Sequence, residues 1–183
     1  RAKAQGRNGY QCFSQEMLAA VSERLALEGQ LRRALEHGEF ELRYQPQFDR
    51  EMTLVGFEAL LRWRHPKLGE VPPTKFIPLA EETGLILGIG DWVLDEACRQ
   101  NRAWQRDGHP PIKVAVNVSA MQFAQPGFAE SVARVLERHG LAPQWLELEI
   151  TESLLMKNTQ ESSKKLEDIR RMGISVALDE VAR

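Results

Sequence analysis

Residues 55–63 of the chain read VGFEALLRW, and three later runs have the same character: VAVNVS at 114–119, LELEITE at 146–152 and VALDE at 176–180. Each run is short and rich in apolar or β-branched residues, and helical patterns separate one run from the next. This alternation indicates parallel strands that are connected by helices. Because the carboxyl ends of such strands meet at one edge of a sheet, polar side chains at those ends are expected to lie close together.

Each of the four runs carries an oxygen-bearing side chain near its end. These residues are Glu58, Asn117, Glu149 and Asp179. Carboxylate and amide oxygens are the ligands that hard divalent cations such as Mg²⁺ and Mn²⁺ prefer. Taken singly, each residue has an ordinary alternative as an ion-pair partner or a turn residue. Their shared position at strand ends favours a metal site, because β/α enzymes carry their chemistry on that edge.

Arg62 lies four residues after Glu58, a spacing that places both side chains on the same side of a strand. A guanidinium at that edge would bind a phosphate oxygen. The alternative is that Arg62 only solvates the strand end, and the residues alone do not distinguish these two interpretations.

The remaining patterns extend the alternation along the chain. They predict a helix at 14–38, a hairpin of strands 41–48 and 54–63, a loop at 64–73, helices at 74–83 and 89–106, a strand at 113–119, a helix at 128–139, a strand at 145–151, a helix at 160–172 and a strand at 175–180. The first helix is expected to pack onto the following domain, since its apolar spacing holds no strict heptad. A β/α barrel and an open α/β sheet both fit this order.

Composition limits the classes of partner. The chain has 183 residues, of which 43% are hydrophobic, and its 24 basic and 26 acidic side chains leave a net charge of -2. We therefore expect one main domain that does not bind a nucleic-acid polymer. No apolar run approaches the ~20 residues of a membrane span, so we expect no membrane contact from this segment. Cys12 and Cys98 are far apart without metal-type spacing, which favours a cytoplasmic protein without a disulfide.

Further short motifs surround the candidate residues. They are YQP at 44–46, EALLRW at 58–63, HP at 65–66, FIP at 76–78, NVS at 117–119 and EITE at 149–152. In this order the motifs resemble the EAL domains, bacterial phosphodiesterases that hydrolyse cyclic di-GMP. Residues 1–13 are similar to the end of a GGDEF domain. The resemblance therefore implies a GGDEF tail at 1–13, a linker helix at 14–38 and an EAL domain at 39–183.

The resemblance implies a TIM-like β/α barrel with an antiparallel first strand, which binds cyclic di-GMP and hydrolyses it to linear pGpG with two divalent metals, Mg²⁺ or Mn²⁺. By motif, the first metal would be held by Glu58, Asn117, Glu149 and Asp179, and Glu180 would help to hold the second. Substrate contacts would come from Gln45, Leu60 and Arg62. Glu58 would be catalytic, and so would Glu152 through its support of a mobile rim loop.

Two departures from the family pattern predict impaired hydrolysis. Residues 179–182 read DEVA where the family usually has DDFG, so the second carboxylate is one methylene longer and a glycine is absent. Residues 39–183 are 145 in number, about 105 fewer than the ~250 of a complete barrel, which predicts a barrel that is truncated at its carboxyl end, before the family's catalytic lysine. The alternative function is a degenerate module that binds cyclic di-GMP or a protein partner and signals without hydrolysis. An exposed final strand also predicts self-association, for example as a homodimer.

Overall fold

The structure is a computed structural model that describes residues 15–151 and 159–179. The strands are β1 (Phe40–Phe48), β2 (Leu54–His65), β3 (Gly69–Val71), β4 (Lys113–Val118), β5 (Leu146–Thr151) and β6 (Ser175–Asp179). The helices are α1 (Gln15–Ala34), α2 (Pro73–Thr83), α3 (Ile86–Arg106), α4 (Ala120–Ala124), α5 (Phe128–His139) and α6 (Thr159–Arg171), and a 3₁₀ turn (Pro143–Trp145) precedes β5. As predicted, α2 and α5 end at glycines with left-handed φ, Gly84 at 75° and Gly140 at 62°.

The described strands form one sheet in the order β1-β2-β4-β5-β6, with β3 paired to the carboxyl end of β2. β1 runs antiparallel to β2, whereas β2, β4, β5 and β6 run parallel to one another. This arrangement confirms the predicted hairpin and the antiparallel first strand. Across the described residues β1 and β6 lie at the two ends of the strand order, so the sheet is open there and does not close into a barrel.

The apolar core lies between the sheet and its helices. Phe40 on β1 contacts the rings of Trp63, Phe76 and Trp92, with centroids 6.0 to 6.2 Å apart. Trp63 is fully buried, and the other three tryptophans pack partly buried against the same core. All four tryptophans thus belong to the core or pack against it, which leaves the opposite face of the sheet for polar side chains.

The polar face of the sheet is strongly curved. The amide Nε2 of Gln47 on β1 donates a hydrogen bond of 3.2 Å to Oε1 of Glu149 on β5. Two strands, β2 and β4, lie between these residues, so a flat sheet would separate them by about 14 Å at a strand spacing of ~4.8 Å. Contact between them requires the sheet to curl around its polar face, as the wall of a barrel does.

The predicted loop at 64–73 is partly wrong, because it contains β3. Nδ1 of His65 accepts hydrogen bonds from the backbone N–H groups of Lys67 and Leu68, each at 3.1 Å, which forms a tight turn. Gly69 then takes a left-handed φ of 71°, and the chain returns beside β2. A three-residue strand between prolines gives no period-2 pattern, so the sequence did not indicate it.

The connector helix α1 packs as predicted only in its second half. Leu31 is 1% exposed and Leu35, just beyond the helix, packs against the core. In the first half of the helix the apolar Val21 and Leu25 are instead 52% and 64% exposed. The first part of α1 instead contacts α2 through an ion pair between Arg24 and Glu82. Polar contacts thus replace the predicted apolar packing there.

Cys98 is a buried free thiol on α3, and burial raises its pKa to about 12, with a smaller contribution from the nearby charge of Asp95. Cys12 lies outside the described residues. Among the helices that the structure describes, none combines the length and the apolar composition needed to cross a membrane.

Candidate functional site

Glu58 is the centre of the candidate site, and it lies on the polar face of the sheet. Gln45 on β1 is paired in register with Glu58, and directly opposed residues of an antiparallel pair share a face. By alternation along β2, Leu60 and Arg62 lie on this face too. The structure therefore brings the predicted substrate-binding residues and the first predicted metal ligand to one side of one hairpin.

Glu58 and Asn117 are in direct contact. Nδ2 of Asn117 donates a hydrogen bond of 2.8 Å to Oε1 of Glu58. In the next strand pair, Asn117 is the register partner of Glu149. Three of the predicted metal ligands therefore lie on three consecutive strands of the sheet, with Asn117 one hydrogen bond from Glu58 and one strand spacing from Glu149.

The strand positions of these residues differ from the prediction in one respect. Glu58 is the fifth residue of the 12-residue β2, and not near its end, because β2 continues past the sheet edge to pair with β3. It does lie near the end of the segment that pairs with β4, which spans residues 56–59. Asn117 is the penultimate residue of β4, and Asp179 is the last residue of β6, with its backbone paired to Thr151.

Two predicted residues, Glu152 and Glu180, lie outside the described residues, and so does the side chain of Asp179. Within the ranges 15–151 and 159–179, no three His, Cys, Asp or Glu side chains come close enough to hold a metal ion. The donor set that the structure does bring together is two carboxylates and one amide, at Glu58, Glu149 and Asn117. These are hard oxygen ligands, and their chemistry fits Mg²⁺ or Mn²⁺.

Arg62 lies beside a cluster of ion pairs, closer than Glu58 to the carboxyl end of β2. Its Nε is 3.7 Å from Oε1 of Glu70, and its side chain is 23% exposed. Glu70 also receives two hydrogen bonds from Arg43, at 3.2 and 2.8 Å. Hydrogen bonds from Arg43 to Glu70 and to Glu41 raise the pKa of the Arg43 guanidinium. The cluster holds cationic groups at the edge where a phosphate ligand is predicted.

The turn after Asn117 is fixed by a capping box. Ser119 caps α4: its Oγ accepts from the backbone N–H of Gln122 at 3.2 Å. In return, Oε1 of Gln122 accepts from the backbone N–H and the hydroxyl of Ser119, at 3.2 and 3.0 Å. Gln122 is only 7% exposed. This arrangement holds the end of β4, and with it the backbone that carries Asn117.

Three residues of the site's surroundings were missed by sequence reasoning. They are Gln47, Glu70 and Gln122. Gln122 had a local signal, because SAMQ at 119–122 is a capping-box pattern, and recognising it would also have predicted α4. Gln47 and Glu70 contact residues that are distant in sequence, so no local pattern indicates their partners.

Comparisons with known proteins identify the relatives of the chain. The family model described as EAL domain matches residues 28–183. The bifunctional diguanylate cyclase/cyclic di-GMP phosphodiesterase MucR of Pseudomonas aeruginosa is 48% identical over 180 residues, which are 98% of this chain and 26% of that protein. The cyclic di-GMP phosphodiesterase NbdA of the same organism is 41% identical over 183 residues, with coverage of 98% and 23%. The chain thus spans about a quarter of the length of these relatives.

Solved structures show the same fold. A structure described as the PaMucR phosphodiesterase in complex with c-di-GMP matches with a TM-score of 0.81 and 47% identity, over 86% of this chain and 64% of that chain. The FimX EAL domain of Xanthomonas citri, in complex with c-diGMP, matches with a TM-score of 0.77 and 28% identity, over 87% and 62%. These neighbours confirm the predicted TIM-like α/β fold.

Proposed function

The chain belongs to the EAL-domain family, and from this premise we propose that it binds cyclic di-GMP and hydrolyses one phosphodiester to give linear pGpG, with Mg²⁺ or Mn²⁺ as cofactor. The observation that carries the proposal is the hydrogen bond between Asn117 and Glu58, next to Glu149 on the adjoining strand. It gathers hard oxygen donors on the face of the sheet that carries Gln45 and Arg62. Relatives that are named as cyclic di-GMP phosphodiesterases support the choice of substrate.

We assign the metal-ligand roles to Glu58, Asn117 and Glu149, with Asp179 and Glu180 as further ligands. When bound, divalent cations lower the pKa of a coordinated water and neutralise charge on the attacking and leaving oxygens of a phosphodiester. Every one of these side chains offers oxygen, so a softer metal that prefers thiolate or imidazole is disfavoured.

The remaining proposed residues bind and orient the dinucleotide. The Arg62 guanidinium offers donors that match two oxygens of one phosphate. Leu60 is half-buried on the same face and offers an apolar contact, while the exposed amide of Gln45 offers both a donor and an acceptor. Glu152 would support the loop that follows β5.

The test is turnover of cyclic di-GMP by the intact protein with Mg²⁺ or Mn²⁺, with pGpG measured by chromatography. Glu58→Gln removes a charged ligand, and we expect it to reduce kcat by at least ~10²-fold, the cost of misplacing reacting groups by about 1 Å. Glu51→Gln is the matched control, since Glu51 is exposed in the turn between β1 and β2. Equal turnover by wild type and Glu58→Gln would contradict the assigned site.

A second candidate function is cyclic di-GMP binding without hydrolysis. The observation in its favour is the sequence DEVA at 179–182, where the family usually has DDFG. Saturable binding of cyclic di-GMP to a wild-type protein that forms no pGpG under either metal would support this candidate against the first. Restoring DDFG in the intact protein should then increase turnover if residues 180–182 are the cause.

Self-association and a cytoplasmic location are part of the proposal. The strand β6 ends the described sheet, and its Leu178 is 53% exposed. Edge strands with apolar side chains pair readily with a second copy. A single monomeric mass by light scattering, at all concentrations between micromolar and millimolar, would contradict self-association.

The assignment of residues 1–13 to a GGDEF tail lies outside the described residues and stays a prediction.

A further inference from the structure

We propose that Gln47 is a positioning residue that orients the carboxylate of Glu149 for metal binding, an inference that rests on the proposed function. Nε2 of Gln47 donates to Oε1 of Glu149 across 3.2 Å, although 102 residues separate the two in sequence. The hydrogen bond spans the polar face of the sheet from β1 to β5. It therefore depends on the curvature that brings these strands together.

A second observation shows that the sheet is built to accommodate this side chain. Gln47 is the register partner of Gly56 on β2. A Cβ added to Gly56 would lie 3.1 Å from Oε1 of Gln47 and 3.2 Å from the carbonyl oxygen of Lys113. Both distances are shorter than ordinary van der Waals contacts. Because residue 56 has no side chain, there is room for the Gln47 amide beside Gly56, in the position from which it donates to Glu149.

The chemistry of this contact suits a metal ligand. A carboxylate has two oxygens with several acceptor sites, so one hydrogen bond at Oε1 restricts its rotation and leaves further lone pairs for a cation. The Gln47 amide is neutral, so it fixes the carboxylate without offsetting the negative charge that attracts the cation. Hydrogen bonds that orient metal ligands typically change metal affinity by ~10- to 100-fold when removed.

The geometry also separates Gln47 from the residues assigned to substrate. Gln45 is two positions earlier on the same strand and is paired with Glu58, whereas Gln47 is paired with Gly56, nearer the amino end of β2. On the polar face, Gln47 therefore lies closer than Glu58 to the amino end of β2, and it contacts Glu149 from that end of the sheet. Its loss should weaken metal binding before it affects substrate contacts.

The test is a calorimetric titration of the intact protein with Mn²⁺ in the absence of substrate. Gln47→Met keeps the length of the side chain and removes the donor, and we expect Mn²⁺ to bind ~10- to 100-fold more weakly. Gln144→Met is the matched control, because Gln144 is exposed in the turn before β5, and its Mn²⁺ affinity should equal that of wild type. Gly56→Ala, which displaces the Gln47 amide without removing it, should weaken Mn²⁺ binding in the same direction. The two effects should not add in the double variant, because both act through one hydrogen bond.

Kinetics give a readout that a purely structural defect would not reproduce. If Gln47 only orients a ligand, a ~100-fold excess of Mn²⁺ should restore the kcat of Gln47→Met to the wild-type value, with KM for cyclic di-GMP unchanged. Equal Mn²⁺ affinity for wild type and Gln47→Met would overturn this inference alone and leave the proposed function standing. Wild-type protein that binds no Mn²⁺ would overturn both.

Discussion

Replacing Gly90 by alanine is the most direct perturbation of the packing that supports the candidate site. Gly90 is buried in α3, and a Cβ added there would overlap Nε2 and Cδ of Gln122. The two groups cannot occupy the same space, so the Gln122 side chain must move away. Its amide oxygen accepts two hydrogen bonds from Ser119, and these would be lost. A substitution on α3 is therefore expected to disrupt the capping box of α4.

The size of the effect follows from three contributions. Loss of the two hydrogen bonds that Oε1 of Gln122 accepts from Ser119 costs ~0.5–1.5 kcal/mol each. Insertion of a methyl group into a filled site costs roughly 1–3 kcal/mol more. Alanine in the middle of a helix gains about 0.5–1 kcal/mol over glycine. We therefore expect a net loss of about 2 kcal/mol in the free energy of unfolding, which lowers Tm by roughly 4–8 °C for a chain of this size.

The assay is urea denaturation monitored by circular dichroism, with two controls from the same packing. Gly88→Ala lies two residues earlier in α3, where the added Cβ would only touch Cδ1 of Leu35 at 3.4 Å, and it should be neutral or stabilising. Gln122→Ala empties the space, so Gly90→Ala in that background should no longer destabilise. A loss for Gly90→Ala equal to that for Gly88→Ala would refute the reasoning, as would full additivity with Gln122→Ala.

Three further predictions concern individual polar side chains outside the proposed ligand set. Tyr44→Phe should leave the free energy of unfolding unchanged or raise it by about 1 kcal/mol, because the buried Tyr44 hydroxyl has no hydrogen-bond partner among the described residues; clear destabilisation in urea would contradict this. Cys98 should resist alkylation at pH 8 in the folded protein and react once urea unfolds it, since burial raises its pKa to about 12; peptide mass spectrometry distinguishes the two states. Burial alone would raise the pKa of Asp95, but hydrogen bonds and charge from His139 and Arg138 outweigh it, so the pKa is lowered. Asp95→Asn should therefore reduce the free energy of unfolding at pH 7, and the difference from wild type should shrink as the pH falls below about 4. A difference that does not depend on pH would contradict the assignment.

The order of strands and helices could be predicted from the sequence because its signals are local. Glycines at 84, 140 and 173 mark the helix ends, and each takes the left-handed φ that such an end requires. The elements that were missed are short. β3 has three residues and α4 has five, so neither completes enough periods to produce a pattern. Only the capping box of α4 left a readable trace, in its spacing of serine and glutamine.

The candidate site was predictable in its residue types but not in its contacts. Glu58, Asn117 and Glu149 were indicated by oxygen-bearing side chains on successive strands, and the structure does place them on neighbouring strands of one face. The residue that each of them faces on the neighbouring strand was not predictable, since this depends on the register between strands. That register places Glu58 opposite Ala115 and Asn117 opposite Glu149, a stagger of two residues that the sequence does not record.

The curvature of the sheet explains why the antiparallel first strand matters to a site whose proposed ligands follow it in the chain. An antiparallel β1 presents Gln45 and Gln47 to the polar face in reverse order, so the later residue lies deeper, opposite Gly56. On a flat sheet that depth would be without consequence, because β5 would lie beyond the reach of any side chain on β1. On this curved sheet the amide of Gln47 donates a hydrogen bond to Glu149, while Gln45 is paired in register with Glu58. One hairpin thus carries the proposed ligand Glu58 and contacts a second, Glu149, which predicts that changes in its register would impair metal binding and substrate binding together.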